Sequence, residues 1–349
     1  YSAVSFAGAI TFTSAAGSVI ARYGAIRTTQ IALCLGAFGL CISLFMWIPA
    51  FIVGAFAVGM GYGVATPAAS HLLARTIAPE QRGFIFSIKQ SGVPVGGFLL
   101  GVTVPVIAFH NSWQYGLLTI IFLLFLLSLI LQLVRSLFDT GLEKTRKISP
   151  AETVAAVKLA ITDSRLRPLA LSSFIYAMMQ LSIFTFYVVV LVEQVNLDPV
   201  TAGTVFSIMH VGGIVGRPLL GWISDKILPA VPLLSLVGFA IFLCGLALAA
   251  LSADWPYLLL CALSFIAGVV AAGWNGVYIS EIARVMPSAD VGRATGGVSA
   301  FTFLGVVIGP AAFTTIVGFS GSYSIAFLVV GTIAIGPAII LILQYFNQK

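Results

Sequence analysis

Apolar runs of about 20 residues recur from one end of the chain to the other, at about 1–21, 28–48, 50–73, 84–109, 113–135, 168–193, 200–223, 231–251, 256–281, 294–317 and 322–346. Each is long enough, as a helix, to cross a hydrocarbon core roughly 30 Å thick. The pattern predicts an all-α integral membrane protein. A β-barrel would need alternating segments of about ten residues, and these runs are continuous and twice that length. The first run starts at Tyr1, already apolar and without an initiator Met, which predicts one further helix ahead of it. No basic stretch precedes a short apolar core, so nothing reads as a cleavable signal peptide.

Composition agrees with the pattern: 60% of residues are hydrophobic and 8% are charged. Charge adds an orientation. All 17 Lys and Arg residues thread onto one side of a membrane. Arg22, Arg27, Arg75, Arg82, Lys226, Arg284, Arg293 and the basic residues of Arg135–Arg167 lie in alternate turns, Lys89 and Arg217 lie in helices near those ends, and Lys349 is at the tail. The opposite turns hold Pro49, His110 to Ser112, Asn196, Asp198, Asp254 and Gly318 to Gly321, with no basic residue. Cytoplasmic loops gather Lys and Arg, so the basic side is expected to be cytoplasmic, in a cell inner membrane, with the linker and C-terminus inside and Tyr1 outside. The net charge of +6 is then a topology signal, and no nucleic-acid partner is implied. The cations at Lys144 to Lys147 fit an orienting loop, with a lipid patch as the alternative. Cys34, Cys41, Cys244 and Cys261 all fall in spans and read as small packing residues; no disulfide, metal or cofactor is expected.

The longest polar stretch divides the chain into 1–135, a linker at 136–167, and 168–349. Five spans precede it and six follow, which becomes six plus six with the missing helix restored. Inside the linker a short helix is expected over about 151–161, with Pro150 in its first turn and Ser149 as cap. The halves echo each other. Gly17-Ser-Val-Ile-Ala21-Arg22 aligns with Gly221-Trp-Ile-Ser-Asp225-Lys226, and Gly92-Val-Pro94-Val-Gly96-Gly97 with Gly305-Val-Val-Ile-Gly309-Pro310. Duplicated halves with Gly- and Pro-marked helices in matching places are the sequence mark of secondary transporters.

The stretch Gly212-Gly-Ile-Val-Gly216-Arg217-Pro-Leu-Leu-Gly221-Trp-Ile-Ser-Asp225-Lys226 resembles the signature loop of the major facilitator superfamily, and Pro79-Glu80-Gln81-Arg82-Gly83 is similar to that family's loop between its fourth and fifth helices. The resemblance covers the whole chain as helices two to twelve of two six-helix bundles. It implies that Asp225 faces the positive N-terminus of a neighbouring helix, joined by Arg217, as a gate on the cytoplasmic side. Gly216, Gly221 and Lys226 belong to the same motif. The first-half copy keeps Gly17, Arg22 and Gly24, but Ala21 stands where the family has Asp. Gly92, Pro94, Gly96, Gly97, Gly305, Gly309 and Pro310 read as helix-packing and kink positions; a Gly-Pro antiporter motif is matched only in part, because Val93 precedes Pro94.

For the solute cavity the resemblance points to the fourth, seventh and tenth helices of the family, which here offer Tyr62, Thr66, Tyr176, Met179, Gln180, Phe184, Trp274, Asn275 and Tyr278. Lys89, with Gln90 beside it, lies about 10 Å inside its helix at 1.5 Å per residue. It either faces a water-filled path, which would suit an anionic solute, or snorkels back to the headgroups. His210 is able to titrate, although a lone His in a bundle more often serves as a structural donor.

No Gly-x-x-x-x-Gly-Lys-Ser/Thr loop, His-Glu-x-x-His or Gly-x-Ser-x-Gly occurs, which argues against a nucleotide-driven pump and against an enzyme. The expectation is a monomeric secondary transporter working by alternating access on a small organic anion, with proton coupling. Efflux of amphipathic drugs is the alternative within the class, and a non-transporting membrane sensor the alternative outside it.

Overall fold

The computed structural model describes residues 1–110, 112–143, 145 and 150–347. The lipid patch at Lys144 to Lys147, the Ser149 cap and Lys349 rest wholly or partly on residues outside that set. Among the described residues all regular structure is helical. The order is α1 (Ser2–Tyr23), α2 (Ala25–Ser43), α3 (Ile48–Thr76), a 3-10 turn at Pro79–Gln81, α4 (Arg82–His110), α5 (Trp113–Phe138), α6 (Pro150–Thr162), α7 (Leu166–Glu193), α8 (Pro199–Lys226), α9 (Ala230–Ala249), α10 (Tyr257–Val285), α11 (Val291–Ser320), α12 (Tyr323–Ile333) and α13 (Ile335–Asn347). Ten stretches among the described residues are long and apolar enough to span a membrane. Residues 82–110, which hold the fourth apolar run, form α4.

Two boundaries differ from the hydropathy reading for physical reasons. Hydropathy predicts the second span over about 28–48, whereas α2 runs Ala25–Ser43 and Met46 takes φ 54° in the turn that follows. Pro49 belongs to the first turn of α3, where its missing N–H costs nothing, so the helix starts ahead of it. The last span is a single apolar run but breaks at Ala334. Pro337 cannot donate, and its ring crowds the carbonyl four residues back, that of Ile333.

The chain packs as two compact units that do not follow its linear halves. Tyr1–Ile77, Val95–Arg167 and Ile282–Phe303 form the first; Ala78–Pro94, Pro168–Glu281 and Leu304–Lys349 form the second.

In the first unit α1 and α2 pack on α3, and α2 on α5. Ala16, Ile20, Ala32, Val64 and Ala68 form a buried hydrophobic cluster in it, three of the five alanine. Small side chains let helices approach closely where lipid supplies no hydrophobic drive. A polar seam joins α2 to α5: Gln30 Nε2 donates to the Ser128 carbonyl at 2.8 Å and to Gln132 Oε1 at 3.2 Å, while Arg27 donates to Gln30 Oε1 at 3.0 Å. Helix α6 packs on α1, with Ala156 and Ala160 fully buried.

In the second unit α9 packs on α12 and α13, with Ser235 Oγ donating to the Ala338 carbonyl at 2.7 Å. Helices α8 and α10 meet through glycine: a Cβ on Gly268 would strike the Met209 carbonyl, and one on Gly216 would lie 2.6 Å from Val269 Cα.

Candidate transport site and gate

Asp225 lies in the last turn of α8 and is half-buried. Its two carboxylate oxygens each accept a backbone N–H from the start of α4, Oδ1 from Gly83 and Oδ2 from Phe84, both at 2.8 Å. The first N–H groups of a helix have no partner within it and carry the positive end of its dipole, so a carboxylate there satisfies two donors and a partial charge together. Gly83 and Gly221 admit the contact: a Cβ on Gly83 would lie 2.6 Å from Asp225 Oδ1 and 2.7 Å from the Gly221 carbonyl. Arg217, two turns earlier on α8, is 5% exposed, and Lys226 is exposed.

The first-half motif is arranged differently. Gly17 lies against Arg293 of α11, and Arg22 stacks 5.3 Å over the Tyr23 ring. Ala21 brings no carboxylate. It lines a cavity of about 490 Å3 together with His71, Arg75, Asp139, Glu143 and Gly292. The carboxylate at a helix start here is that of Asp139, at the end of α5. Its oxygens accept the N–H groups of Ile26 and Arg27 at the start of α2, both at 2.9 Å, and Arg135 Nε lies 3.6 Å away. Gly24, at φ 92°, joins α1 to α2, and a Cβ there would collide with the Asp139 carboxyl. In the sequence Asp139 reads as one more charge of the linker. The available signal is Gly24 retained beside a lost acid.

Of the aromatic cavity candidates, three are buried. Tyr176 is fully buried and its hydroxyl donates to the Leu234 carbonyl of α9 at 2.9 Å. Trp274 is fully buried with its indole N–H on the Ala271 carbonyl, and Tyr278 is buried beside it, ring centroids 5.1 Å apart. All three rings are enclosed by their neighbours. The amides differ. Asn275 Nδ2 donates to Gln180 Oε1 at 3.2 Å, joining α10 to α7, and both side chains stay half-buried. Lys89 is half-buried and its ammonium donates to Gln90 Oε1 at 2.8 Å. In the first unit Tyr62 is 45% exposed and sits in an aromatic trio with Phe6 and Phe303, centroids 6.4 and 5.5 Å away. Thr66 lies one turn further along α3.

The duplicated glycine sets also part company. Gly305 and Gly309 press on the Phe174 and Met178 carbonyls of α7, and α11 continues through Pro310. Among the described residues nothing lies within 4 Å of a Cβ placed on Gly92, Gly96 or Gly97, and α4 runs on through Pro94.

Outside the spans, Asp163 and Arg165 pair at 2.8 Å in the turn before α7, and the hydrogen bond from Arg165 holds the Asp163 carboxyl below its usual range. Arg165 also donates to the Val285 carbonyl at 2.9 Å. No cluster of His, Cys, Asp and Glu among the described residues could hold a metal ion.

Comparison with known proteins bears on the fold and the family. Over 90% of its length the chain is 23% identical to the hexuronate transporter of Bacillus subtilis (strain 168), covering 77% of that protein. Over 84% it is 27% identical to the 3-(3-hydroxy-phenyl)propionate transporter of Escherichia coli (strain K12), covering 71% of it. Among solved structures, a point variant of the E. coli fucose:proton symporter FucP superposes with a TM-score of 0.76 at 16% identity, over 98% of this chain and 90% of that one. The Major Facilitator Superfamily model matches residues 1–280, and the chain is a member of that family of membrane transporters.

Proposed function

We propose that the chain carries a small organic anion across the membrane by alternating access, coupled to protons, with its basic side cytoplasmic. The observation that carries the anion reading is Lys89, a cation about 10 Å inside α4 whose ammonium is held on a neutral amide, Gln90, at 2.8 Å. An intramembrane cation normally marks a solute path or a buried partner. The two relatives named above, for a hexuronate and a phenylpropionate, support a carboxylate-bearing solute, since both named compounds are acids.

In this reading Asp225 is the latch. While it holds the start of α4, the cytoplasmic ends stay together; when it lets go, they part. Asp139 ties α5 to α2, within one half of the chain, and remains in place throughout the cycle.

A thermal-shift screen of the purified full-length protein against a hexuronate, 3-(3-hydroxyphenyl)propionate and lipophilic cations tests the assignment. A ligand present at about 100 times its Kd raises apparent stability by about 2.7 kcal/mol. Stabilisation by a carboxylate that is lost in Lys89→Ala is the expected result. Stabilisation by lipophilic cations alone, unchanged in the variant, would replace the anion reading with drug efflux, for which the Phe6–Tyr62–Phe303 trio offers apolar rings.

A further inference from the structure

Helix α8 carries His210 about 17 Å from its start, in a helix whose 28 residues span about 42 Å. That is close to its middle. The imidazole stacks on Phe184 of α7, ring centroids 5.2 Å apart and planes at 26°, and meets the edge of Phe206 at 4.5 Å. Its Nδ1 lies 3.3 Å from the Phe206 carbonyl. A carbonyl only accepts, so in the neutral ring Nδ1 carries the hydrogen and Nε2 holds a lone pair, which no described residue meets. Phe184 stands one turn along α7 from Gln180, itself bonded to Asn275 of α10. His210, Phe184, Gln180 and Asn275 are all half-buried. They form one polar and aromatic belt within the second unit, at the depth where transporters of this architecture bind their solutes.

Along α7, α8 and α10 the charged residues lie away from the belt. On α7, Glu193 is the last residue, and on α10, Glu281 lies toward the basic end; Asp225 is in the last turn of α8. Arg217 is two turns from His210 on its own helix, Lys89 of α4 is bonded to Gln90, and α9 carries no charge. No Asp or Glu stands at the middle of a described span. Histidine is the side chain whose charge ordinarily changes between about pH 5 and 8, and an imidazole lone pair facing hydrocarbon would have no partner.

We infer that His210 is the proton-binding residue of the solute site. A proton from one side of the membrane adds to Nε2, and the imidazolium, held against the π face of Phe184, pairs with a carboxylate of the solute. On the other side the proton leaves Nε2 for water and the carboxylate loses its partner. Proton and anion therefore move together. The inference rests on the organic-anion reading above.

Calorimetric titration of the purified full-length protein with a hexuronate and with 3-(3-hydroxyphenyl)propionate, in two buffers of different ionisation enthalpy, counts the protons taken up on binding. At neutral pH the wild type is expected to take up a proton with its ligand, up to one per site. His210→Gln should bind roughly tenfold or more weakly at about pH 6, with no uptake and a flat pH profile. His210→Arg, a fixed planar cation that also stacks on Phe184, should bind without uptake and without pH dependence, and so reports even if the Gln variant fails to fold. Uptake in either variant equal to that of the wild type would overturn the inference and leave the anion reading standing. Binding of neither compound to the wild type would overturn the anion reading and the inference with it.

Discussion

Asp225 and Asp139 perform the same chemistry, a carboxylate across two free N–H groups of a helix start, yet they tie different things together. Asp225 joins α8 to α4, elements from opposite halves of the sequence, whereas Asp139 joins α5 to α2 within one half. The bonds of Asp225→Asn would be weaker by the charge. Hydrogen bonds to a charged group are worth about 1.5–3 kcal/mol, and half exposure places this pair near the low end. A loss of about 1–2 kcal/mol changes a two-state ratio by roughly 5–30-fold. Maleimide labelling of a cysteine placed at Gln81 is therefore expected to accelerate by that factor in Asp225→Asn. Asp139→Ala should leave the labelling unchanged and lower the melting temperature, since a lost cap costs about 0.5–2 kcal/mol. Equal labelling in the two variants would show that Asp225 is no latch. The carboxyl at 225 was legible in its motif. The one at 139 was not, because its partner is 113 residues away and only folding brings them together.

At the scale of elements, eleven apolar runs were enough to place the helices, because burial in lipid demands backbone satisfaction within each run. Their ends and breaks depended on single residues, Pro49 and Pro337 among them. How closely two helices approach was less legible: Gly305 and Gly309 of α11 lie against α7, whereas a Cβ on their sequence echoes in α4 would meet none of the described residues. A glycine-rich pattern shows that an approach is allowed, and only the neighbour decides whether it is used. The α8–α10 contact gives a test. Gly268→Val would force a branched side chain onto the Met209 carbonyl, and overpacking of this kind costs about 1–3 kcal/mol. A lower melting temperature and a lower yield of monodisperse protein in detergent are expected; Gly92→Val, with open space around it, should change neither.

Across the whole molecule, the basic turns predict a single orientation. In intact cells, a cysteine at Thr140 should react with a membrane-impermeant thiol reagent only after the membrane is breached, and one at Asp254 should react from outside, in a background with Cys34, Cys41, Cys244 and Cys261 replaced. The opposite result would reverse the topology and, with it, the side on which the Asp225 latch acts. The two packing units also cut across the linear halves, with 78–94 in the second and 282–303 in the first. No local pattern announces such an exchange.

The sequence by itself determined the helical class, the family and the site of the Asp225 motif, because hydropathy and a contiguous motif are local properties of the chain. Only the tertiary structure decided which candidate side chains are buried. Tyr176, Trp274 and Tyr278 lie on helices of the expected kind, yet their rings are enclosed by neighbouring helices, while His210 gained Phe184 as a platform from a helix it does not belong to. Which face of a helix meets solute and which meets another helix is a property of the packing of several helices, and a single helix in lipid, apolar on every side, carries little record of it.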